Sequence, residues 1–209
     1  MARGTFITFE GGEGAGKSTQ VRRLADRLEA AGHQVTATRE PGGAAGAEEI
    51  RRLLVTGAAD RWTPMAEALL HFAARADHLA RTVRPALARG TWVLSDRFAD
   101  STMAYQGYGH ELGREAIETL HRLVVGDTNP DLTLILDLPA EVGLARAAAR
   151  AGHENRYEEM DLAFHERLRN AFLDIAAREP DRCAVIDASR APDAVAADIW
   201  RTVETRLDP

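Results

Sequence analysis

The sequence predicts an α/β protein with one five-stranded parallel sheet that carries helices on both faces. Short apolar runs alternate with long amphipathic stretches, and this alternation is typical of βαβ units. The length of 209 residues corresponds to one domain at roughly 150 residues per domain. The content of 45% hydrophobic residues and the net charge of −6 exclude disorder for the bulk of the chain. We therefore expect a single domain over residues 1–209.

The strands are predicted from short runs of apolar and β-branched residues. The first run ends where Gly11 and Gly12 break the pattern. In chain order, the predicted strands are Thr5–Phe9, Gln34–Thr38, Thr91–Ser95, Leu132–Leu136 and Ala184–Ile186.

The helices are predicted from apolar residues spaced three and four positions apart, such as Val21, Leu24 and Leu28. Between the fifth and sixth helices, residues 147–159 are small, charged and interrupted by glycine, which is typical of either a surface turn or a mobile lid. The predicted helices span about 17–31, Glu48–Leu54, Pro64–Leu87, Arg114–Val125, Ala140 to about Arg150, Met160–Ala177 and Pro192–Leu207.

Composition excludes several classes of protein. The single cysteine, Cys183, rules out a disulfide framework and fits a reduced compartment. No apolar run approaches the ~18 residues that a membrane span needs, and the N-terminus lacks the apolar region of a signal peptide. The net negative charge argues against broad binding of nucleic acid. We expect a cytoplasmic protein with no membrane or nucleic-acid partner.

A glycine-rich segment, Gly11 to Ser18, matches the phosphate-binding pattern G-x-x-x-x-G-K-[ST] between a predicted strand and a predicted helix. Its glycines let backbone N–H groups point at a phosphate chain, and the helix N-terminus adds positive potential. Lys17 is expected to reach the β and γ phosphates, and the Ser18 hydroxyl to ligate Mg²⁺. The predicted nucleotide site of this P-loop comprises Gly11, Gly12, Glu13, Gly14, Ala15, Gly16, Lys17, Ser18 and Thr19.

Lys17 is the only lysine among the 26 Lys and Arg residues. GTPase switches normally read guanine with an N-K-x-D motif, which this chain cannot contain. Partition-type ATPases commonly carry a further lysine early in the loop, where this chain has glycine. The scarcity of lysine therefore removes two large classes of P-loop protein.

Charged side chains follow the predicted strands at the sheet edge where ligands bind in open parallel sheets. Asp96 and Arg97 follow the third strand, as candidates for the magnesium shell and for a phosphate clamp. Asp137 follows the fourth strand and is the rival acid, but the neighbouring arginine favours Asp96. The segment Arg39–Gly43 ends the second strand on the same rim.

One face of the third predicted helix has the residues for a base site. A planar base can stack on His71 or Phe72, one turn from Arg75, whose guanidinium reads a carbonyl. The alternative is core packing of Phe72 beside a solvated Arg75.

These motifs, in this order, resemble those of the thymidylate kinase family over about residues 6–189. The resemblance implies a P-loop nucleoside monophosphate kinase fold with a short lid at about 147–159, ATP as co-substrate, Mg²⁺ as cofactor, dTMP as acceptor for dTTP synthesis, and a homodimer. It rests on Phe9–Gly11 running into the P-loop, Thr38–Gly43, Glu48–Arg51, Phe72–His78, Asp96–Phe98 with Ser101, Ala104–Gly107, Pro130–Thr133, Glu141–Leu144 and Asn155–Arg156.

The resemblance also implies residue roles on the acceptor side. Arg75 would bind the thymine carbonyl, and Tyr105 would crowd the ribose 2′ position and favour deoxyribose. His71 stands where the family has its stacking aromatic, with Phe72 beside it, so either ring is a candidate; Ala44 replaces a family threonine. The implied substrate-binding set is Glu40, Pro41, Arg51, His71, Phe72, Arg75, Arg97, Ser101, Thr102, Tyr105 and Gln106.

The chemistry requires charge cancellation more than a general base, because a nucleoside monophosphate is mostly dianionic at pH 7. The P-loop carries no arginine, and the bacterial-type branch that this chain resembles supplies one from the lid, here Arg150 or Arg156. Arg146 is assigned to the adenine side with residues 186–190. The implied catalytic set is Lys17, Arg97, Arg150, Arg156, Asp96 and Glu13, with Ser18 and Asp96 at the metal.

Two alternatives stay open at this point. The first is a kinase for another nucleoside monophosphate. The second is a non-catalytic, nucleotide-dependent binding or regulatory protein, which the set of Lys17, Ser18, Asp96 and Arg97 argues against.

Overall fold

The computed structural model describes residues 3–58, 60–149, 156–157 and 160–209. It contains one parallel sheet with the strand order β2-β3-β1-β4-β5. The predicted sheet is thereby confirmed. The first three strands begin and end one residue later than predicted, the fourth ends one residue later, and the fifth extends one residue further at each end. The strands are β1 (Phe6–Glu10), β2 (Val35–Arg39), β3 (Trp92–Asp96), β4 (Leu132–Asp137) and β5 (Cys183–Asp187).

The helices of the described residues lie close to their predicted positions, and one predicted helix is subdivided. The stretch predicted over Pro64–Leu87 consists of α3 (Pro64–His78), a π-helical segment (Leu79–Val83) and α4 (Arg84–Ala88). The others are α1 (Lys17–Ala30), α2 (Ala45–Val55), α5 (Ala99–Thr102), α6 (Arg114–Val124), α7 (Ala140–Ala148), α8 (Leu162–Arg178) and α9 (Pro192–Leu207).

Sequence patterns missed the segment that follows β3. There α5 leads directly into a second π-helical segment, Met103–Gly109. Its residues are almost all buried, so they show no alternation of apolar and polar faces for periodicity to detect. Tertiary contacts, including those with α6 and α8, surround this segment.

The core has two layers, one on each face of the sheet. Alternate residues of β1 divide between them: Phe6 packs into the cluster with α3 and α8, and Ile7 and Phe9 pack into the cluster with α1 and α9. Glu10 therefore lies on the Phe6 side of the sheet, the side that α3 and α8 cover.

The topology places the loops that follow β1 and β3 side by side. From β1 the chain runs to β2 at one edge, whereas from β3 it crosses to β4 on the other side of β1. β1 and β3 are hydrogen-bonded neighbours, with Phe9 opposite Asp96, so the P-loop and the Asp96–Arg97 turn meet at their carboxyl ends. A crevice at such a switch point is the usual ligand site of an open α/β sheet.

Most of the predicted lid lies outside the described part of the chain. The residues concerned are 150–155 and 158–159, and Arg150 is among them. None of the described helices combines the length and apolar character needed to cross a membrane.

Candidate active site

The P-loop connects β1 to α1, and its glycines adopt backbone conformations that other residues avoid. Gly14 and Gly16 have φ values of 68° and 89°, and a Cβ atom on Gly14 would collide with the Gly143 carbonyl. The first residue of α1 is Lys17, so the helix N-terminus points its positive end into the loop. The P-loop cavity, of about 150 Å³, is lined by Glu13, Gly14, Gly16, Lys17, Ser18, Thr19, Asp96 and Arg97.

Lys17 is folded back along this loop. Its Nζ atom donates hydrogen bonds to the carbonyls of Gly11 at 3.0 Å and Gly12 at 2.8 Å. Burial and the neighbouring charge of Arg97 lower the pKa of Lys17 to about 8, against the opposing effect of Glu13. The ammonium is therefore still mostly charged at pH 7 and close to the space where phosphates are expected.

Asp96 and Ser18 form the hydroxyl–carboxylate pair expected of a magnesium site. The Ser18 Oγ atom donates to Asp96 Oδ2 at 2.5 Å. The rival Asp137 is occupied instead by Arg169, whose Nε and Nη2 atoms donate to its two oxygens at 2.7 and 2.8 Å. The geometry therefore favours Asp96 over Asp137. Hard oxygen donors of this kind fit Mg²⁺, which keeps water and phosphate as its remaining ligands.

A second cavity, which we call the acceptor cavity, encloses about 110 Å³ beside the P-loop. Ten of the eleven residues predicted to bind substrate line it. The exception is Phe72, which is 2% exposed and packs in the core cluster. The lining residues are Glu13, Glu40, Pro41, Arg51, Val55, His71, Arg75, Arg97, Phe98, Ser101, Thr102, Tyr105, Gln106 and Tyr157.

Arg97 and Glu13 lie on the boundary between the two cavities, since both residues line both of them. Arg97 Nη2 lies 2.9 Å from Glu13 Oε1, and Tyr105 donates its hydroxyl to the same oxygen at 2.7 Å. Burial raises the pKa of Glu13, but the charges of Arg97 and Lys17 outweigh it and lower the value to about 2. The boundary thus carries a fixed ion pair.

The backbone at Arg97 is held in an uncommon conformation. Its φ is 71°, in the left-handed region that non-glycine residues rarely occupy. Its Nη1 atom donates to the Gly11 carbonyl at 3.1 Å and to Ser101 Oγ at 3.0 Å. These contacts aim the guanidinium at the P-loop rather than at solvent.

Arg75 is buried and lines the acceptor cavity. Its Nε atom donates to Glu40 Oε2 at 2.7 Å, and its Nη2 atom donates to the Phe98 carbonyl and to Thr102 Oγ1. Its Nη1 atom is buried and has no hydrogen-bond partner among the described residues. The cavity therefore presents a fixed, unpaired donor, which suits a carbonyl oxygen.

Glu40 is the residue that orients Arg75. Its second oxygen lies 2.8 Å from His78 Nδ1, and His78 Nε2 lies 2.8 Å from Thr38 Oγ1. Burial raises the pKa of Glu40, but the Arg75 charge and the His78 hydrogen bond outweigh it and lower the pKa. An ionised carboxylate thus locks the guanidinium in place.

Comparison with known proteins places this site in a family. The family model for thymidylate kinase matches residues 9–199. The thymidylate kinase of Caulobacter vibrioides is 64% identical over 207 residues, which cover 99% of each chain. That of Bradyrhizobium diazoefficiens is 53% identical, over 99% of this chain and 92% of its own.

The chain belongs to the thymidylate kinase family. The fold agrees: a crystal structure of the thymidylate kinase from Ehrlichia chaffeensis superimposes with a TM-score of 0.80 at 33% identity, covering 96% of this chain and 99% of that one. The nucleoside monophosphate kinase fold predicted from the resemblance is thereby confirmed.

The thymidylate kinase site differs from the prediction at Arg156. This side chain is 1% exposed, its Nη2 atom lies 2.5 Å from Glu67 Oε2, and it donates to the carbonyls of Leu54 and Ala58. It lines neither cavity. A buried guanidinium needs such acceptors, and in this structure they hold it outside both the P-loop cavity and the acceptor cavity.

Other predicted residues are placed as follows. Arg146 donates to the carbonyls of Ala188 and Ser189, so it does contact the late segment assigned to the adenine side. Arg51 donates to the Pro41 carbonyl at 2.7 Å on the rim of the acceptor cavity. His71, not Phe72, faces the cavity, and its Nε2 atom lies 3.0 Å from the Tyr157 hydroxyl.

Sequence reasoning missed three polar residues of this site: Glu67, His78 and Tyr157. The signal for two of them was available. Glu67 is four residues before His71 and His78 is three after Arg75, so all four lie on one helical face of α3. Tyr157 lay within the predicted lid and carried no pattern of its own.

Glu10, the last residue of β1, also contributes to the site. Its two oxygens accept from the Phe98 backbone N–H at 2.8 Å and from Ser101 Oγ at 2.6 Å. Burial and the nearby Asp100 raise its pKa to about 7. Glu10 thus ties the turn after β3 to the end of β1, which fixes Arg97 relative to the P-loop.

Proposed function

We propose that this thymidylate kinase transfers the γ-phosphate of ATP to dTMP, giving dTDP and ADP. The observation that carries the proposal is that Glu13 and Arg97 line both the P-loop cavity and the acceptor cavity. A donor phosphate in the first cavity and an acceptor phosphate in the second would therefore meet at Arg97. Such juxtaposition supplies much of the rate in phosphoryl transfer, because the reaction needs positioning more than covalent help.

The acceptor phosphate would act directly as nucleophile. Its second pKa is about 6, so it is mostly dianionic at pH 7 and needs no general base. The protein therefore has to hold the donor phosphate and the acceptor phosphate in line. Arg51 and Arg97, both on the acceptor cavity, supply the positive charge for the acceptor phosphate.

The donor phosphates would lie along the P-loop backbone and Lys17. On ATP binding, the Lys17 ammonium exchanges loop carbonyls for phosphate oxygens as partners, and the α1 N-terminus adds its positive end. Ser18 and Asp96 would hold Mg²⁺, which would offset the negative charge of the phosphates.

The base would be read by two unpaired buried atoms. Among the described residues, the donor Nη1 of Arg75 and the acceptor Oε1 of Gln106 have no hydrogen-bond partner, and both residues line the acceptor cavity. Thymine offers an acceptor at O4 and a donor at N3–H, which complement them. Cytosine offers a donor and an acceptor at the same two places. This match favours dTMP over dCMP.

The sugar would lie near Tyr105. Its hydroxyl is held by Glu13 and Arg97, so the ring cannot swing aside to admit a ribose 2′-hydroxyl. We therefore propose that the enzyme prefers a deoxyribonucleotide acceptor.

A panel of acceptors tests the function. ADP release is expected to be fastest with dTMP, slower with dUMP, and at least ~100-fold slower in kcat/KM with dCMP and dGMP, because a mismatched buried hydrogen-bonding group is strongly rejected. Equal turnover of all pyrimidine monophosphates would replace this function by that of a broad nucleoside monophosphate kinase. Nucleotide binding without ADP release would point to a non-catalytic protein.

The prediction that a lid arginine supplies a cation to the transferring oxygens now concerns Arg150, because Arg156 is paired with Glu67. Arg150→Ala is expected to lower kcat by ~10³-fold with little change in the KM for dTMP, because a cation on the transferring oxygens acts only in the transition state. Single-turnover measurements at saturating ATP and dTMP would show it. An unchanged kcat would remove the lid from the mechanism.

We also carry forward two proposals that rest on the family resemblance alone: the enzyme is a homodimer, and it acts in the cytoplasm. Sedimentation equilibrium of the purified protein tests the first, and fractionation of cells that express it tests the second.

A further inference from the structure

We propose that Glu67 sets the base specificity of the acceptor cavity without touching the base, by fixing which way the side-chain amide of Gln106 points. Glu67 would thus be a positioning residue for thymine recognition. The inference rests on the proposed function, because it concerns the base that the cavity reads.

Glu67 is in the first turn of α3 and is 1% exposed. It does not line the acceptor cavity, whereas Gln106 does. Gln106 donates from Nε2 to Glu67 Oε1 at 2.7 Å, and Arg156 Nη2 lies 2.5 Å from the other oxygen. His110 Nε2 lies 3.4 Å from Oε1. Glu67 thus lies directly behind the amide that faces the base site.

The charge of Glu67 decides the orientation of that amide. Burial raises its pKa, but the hydrogen bond from His110 and the interactions with His71 and Arg156 outweigh burial and lower the pKa to about 2. An ionised carboxylate only accepts hydrogen bonds. Gln106 must therefore turn its NH₂ group toward Glu67 and its oxygen away from it.

The consequence is an acceptor aimed at the cavity. Gln106 Oε1 is buried and has no hydrogen-bond partner among the described residues. This oxygen can accept a hydrogen bond from thymine N3–H. It would repel N3 of cytosine, which is itself an acceptor. If the amide were reversed, two oxygens would face each other at Glu67. The carboxylate therefore makes the reversed, cytosine-compatible amide unfavourable.

Glu67→Gln tests the inference, since it keeps the shape and removes the obligate acceptor. The measured quantity is the ratio of kcat/KM for dTMP to that for dCMP. We expect the ratio to fall at least tenfold, because Gln106 can now present either end of its amide. The matched control is Glu118→Gln on α6. It also removes the charge of a glutamate that is paired with an arginine, and it should leave the dTMP/dCMP ratio unchanged. A fall of less than tenfold in folded Glu67→Gln overturns the inference.

Exchanging the two residues separates positioning from general damage. In the double variant Glu67→Gln, Gln106→Glu, the new glutamine can donate to the new carboxylate, whose other oxygen again faces the base. The dTMP/dCMP ratio is expected to recover at least tenfold over the single variant. A ratio that falls in the single variant and does not recover in the double one assigns the loss to distortion around Arg156 and overturns the inference.

The unmodified enzyme provides a readout that does not depend on variant folding. The chain has three glutamines, Gln20, Gln34 and Gln106, so selective ¹⁵N labelling gives three side-chain amides, assigned with Gln20→Ala and Gln34→Ala. One Gln106 amide proton is expected to exchange slowly with solvent, with and without dTMP. Fast exchange of both protons in the free enzyme overturns the inference.

The outcomes distinguish this inference from the function on which it rests. An enzyme that turns over dTMP and dCMP equally refutes the proposed function itself. An enzyme that prefers dTMP, and whose preference survives Glu67→Gln, refutes only the role of Glu67.

Discussion

Replacing Lys17 by arginine is expected to lower kcat by roughly 10²–10³-fold, the cost typical of losing one well-placed stabiliser of transition-state charge. Lys17 is 7% exposed and follows the loop closely enough to bond the carbonyls of Gly11 and Gly12. A planar guanidinium with five donors is too wide for that path, although it carries the same charge. Steady-state ADP release at saturating dTMP gives kcat, and equilibrium binding of ATP separates affinity from rate.

The control for this substitution is the reverse exchange on the same helix. Arg23 is 41% exposed in its side chain and pairs with Asp193 on the surface, so Arg23→Lys should leave kcat unchanged. If Lys17→Arg kept near-normal kcat while the control behaved as expected, any cation at that position would suffice. The close fit of the loop around the ammonium would then have no catalytic importance.

Arg97→Gln is expected to have the largest effect in the acceptor cavity, a loss of kcat/KM for dTMP of ~10³-fold or more. Arg97 lines both cavities, so the substitution removes positive charge from the acceptor phosphate and from the space where the phosphates meet. It also leaves Glu13, whose pKa is lowered chiefly by Arg97 against the effect of burial, as a repulsive carboxylate. Both KM for dTMP and kcat should therefore change.

Arg169→Gln is the matched control, because Arg169, like Arg97, is paired with a carboxylate at this edge of the sheet, here Asp137 at the end of β4. Arg169 lines neither the P-loop cavity nor the acceptor cavity, so the kinetics of this variant should stay close to those of the unmodified enzyme. Thermal unfolding of both variants checks that any loss is not one of folding. A kcat/KM within tenfold of normal for a folded Arg97→Gln would contradict the assignment of Arg97 to the meeting point of the phosphates.

Much of the site could be predicted from the sequence because its residues directly follow strands. Local pattern predicts where an apolar run ends, and parallel strands bring those ends to one edge. The predicted positions of Asp96, Arg97 and the P-loop follow from this rule, and β1 and β3 are neighbours in the sheet. The geometry agrees with the preference for Asp96 over Asp137, since Arg169 is paired with Asp137.

The residues that pattern could not place are those whose surroundings come from distant parts of the chain. His71 and Phe72 are adjacent, and only the packing of α3 decides that Phe72 enters the core while His71 faces the cavity. Arg156 was assigned to the phosphates because it lies in the predicted lid, whereas its guanidinium pairs with Glu67, 89 positions earlier. No local periodicity carries information of that range.

By itself, the sequence determined the α/β sheet, the P-loop, the edge on which the ligands meet and the family. These depend on short-range patterns: strand-forming runs, glycines where only glycine fits, and a helix that starts at a lysine. Only the tertiary structure decided which buried donors and acceptors have partners. Such pairing joins elements that are far apart in the chain, and it determines what the acceptor cavity can recognise. Within the described part of the chain, Arg75 has an unpaired donor and Gln106 an unpaired acceptor, and the Glu67 carboxylate fixes the orientation of the Gln106 amide.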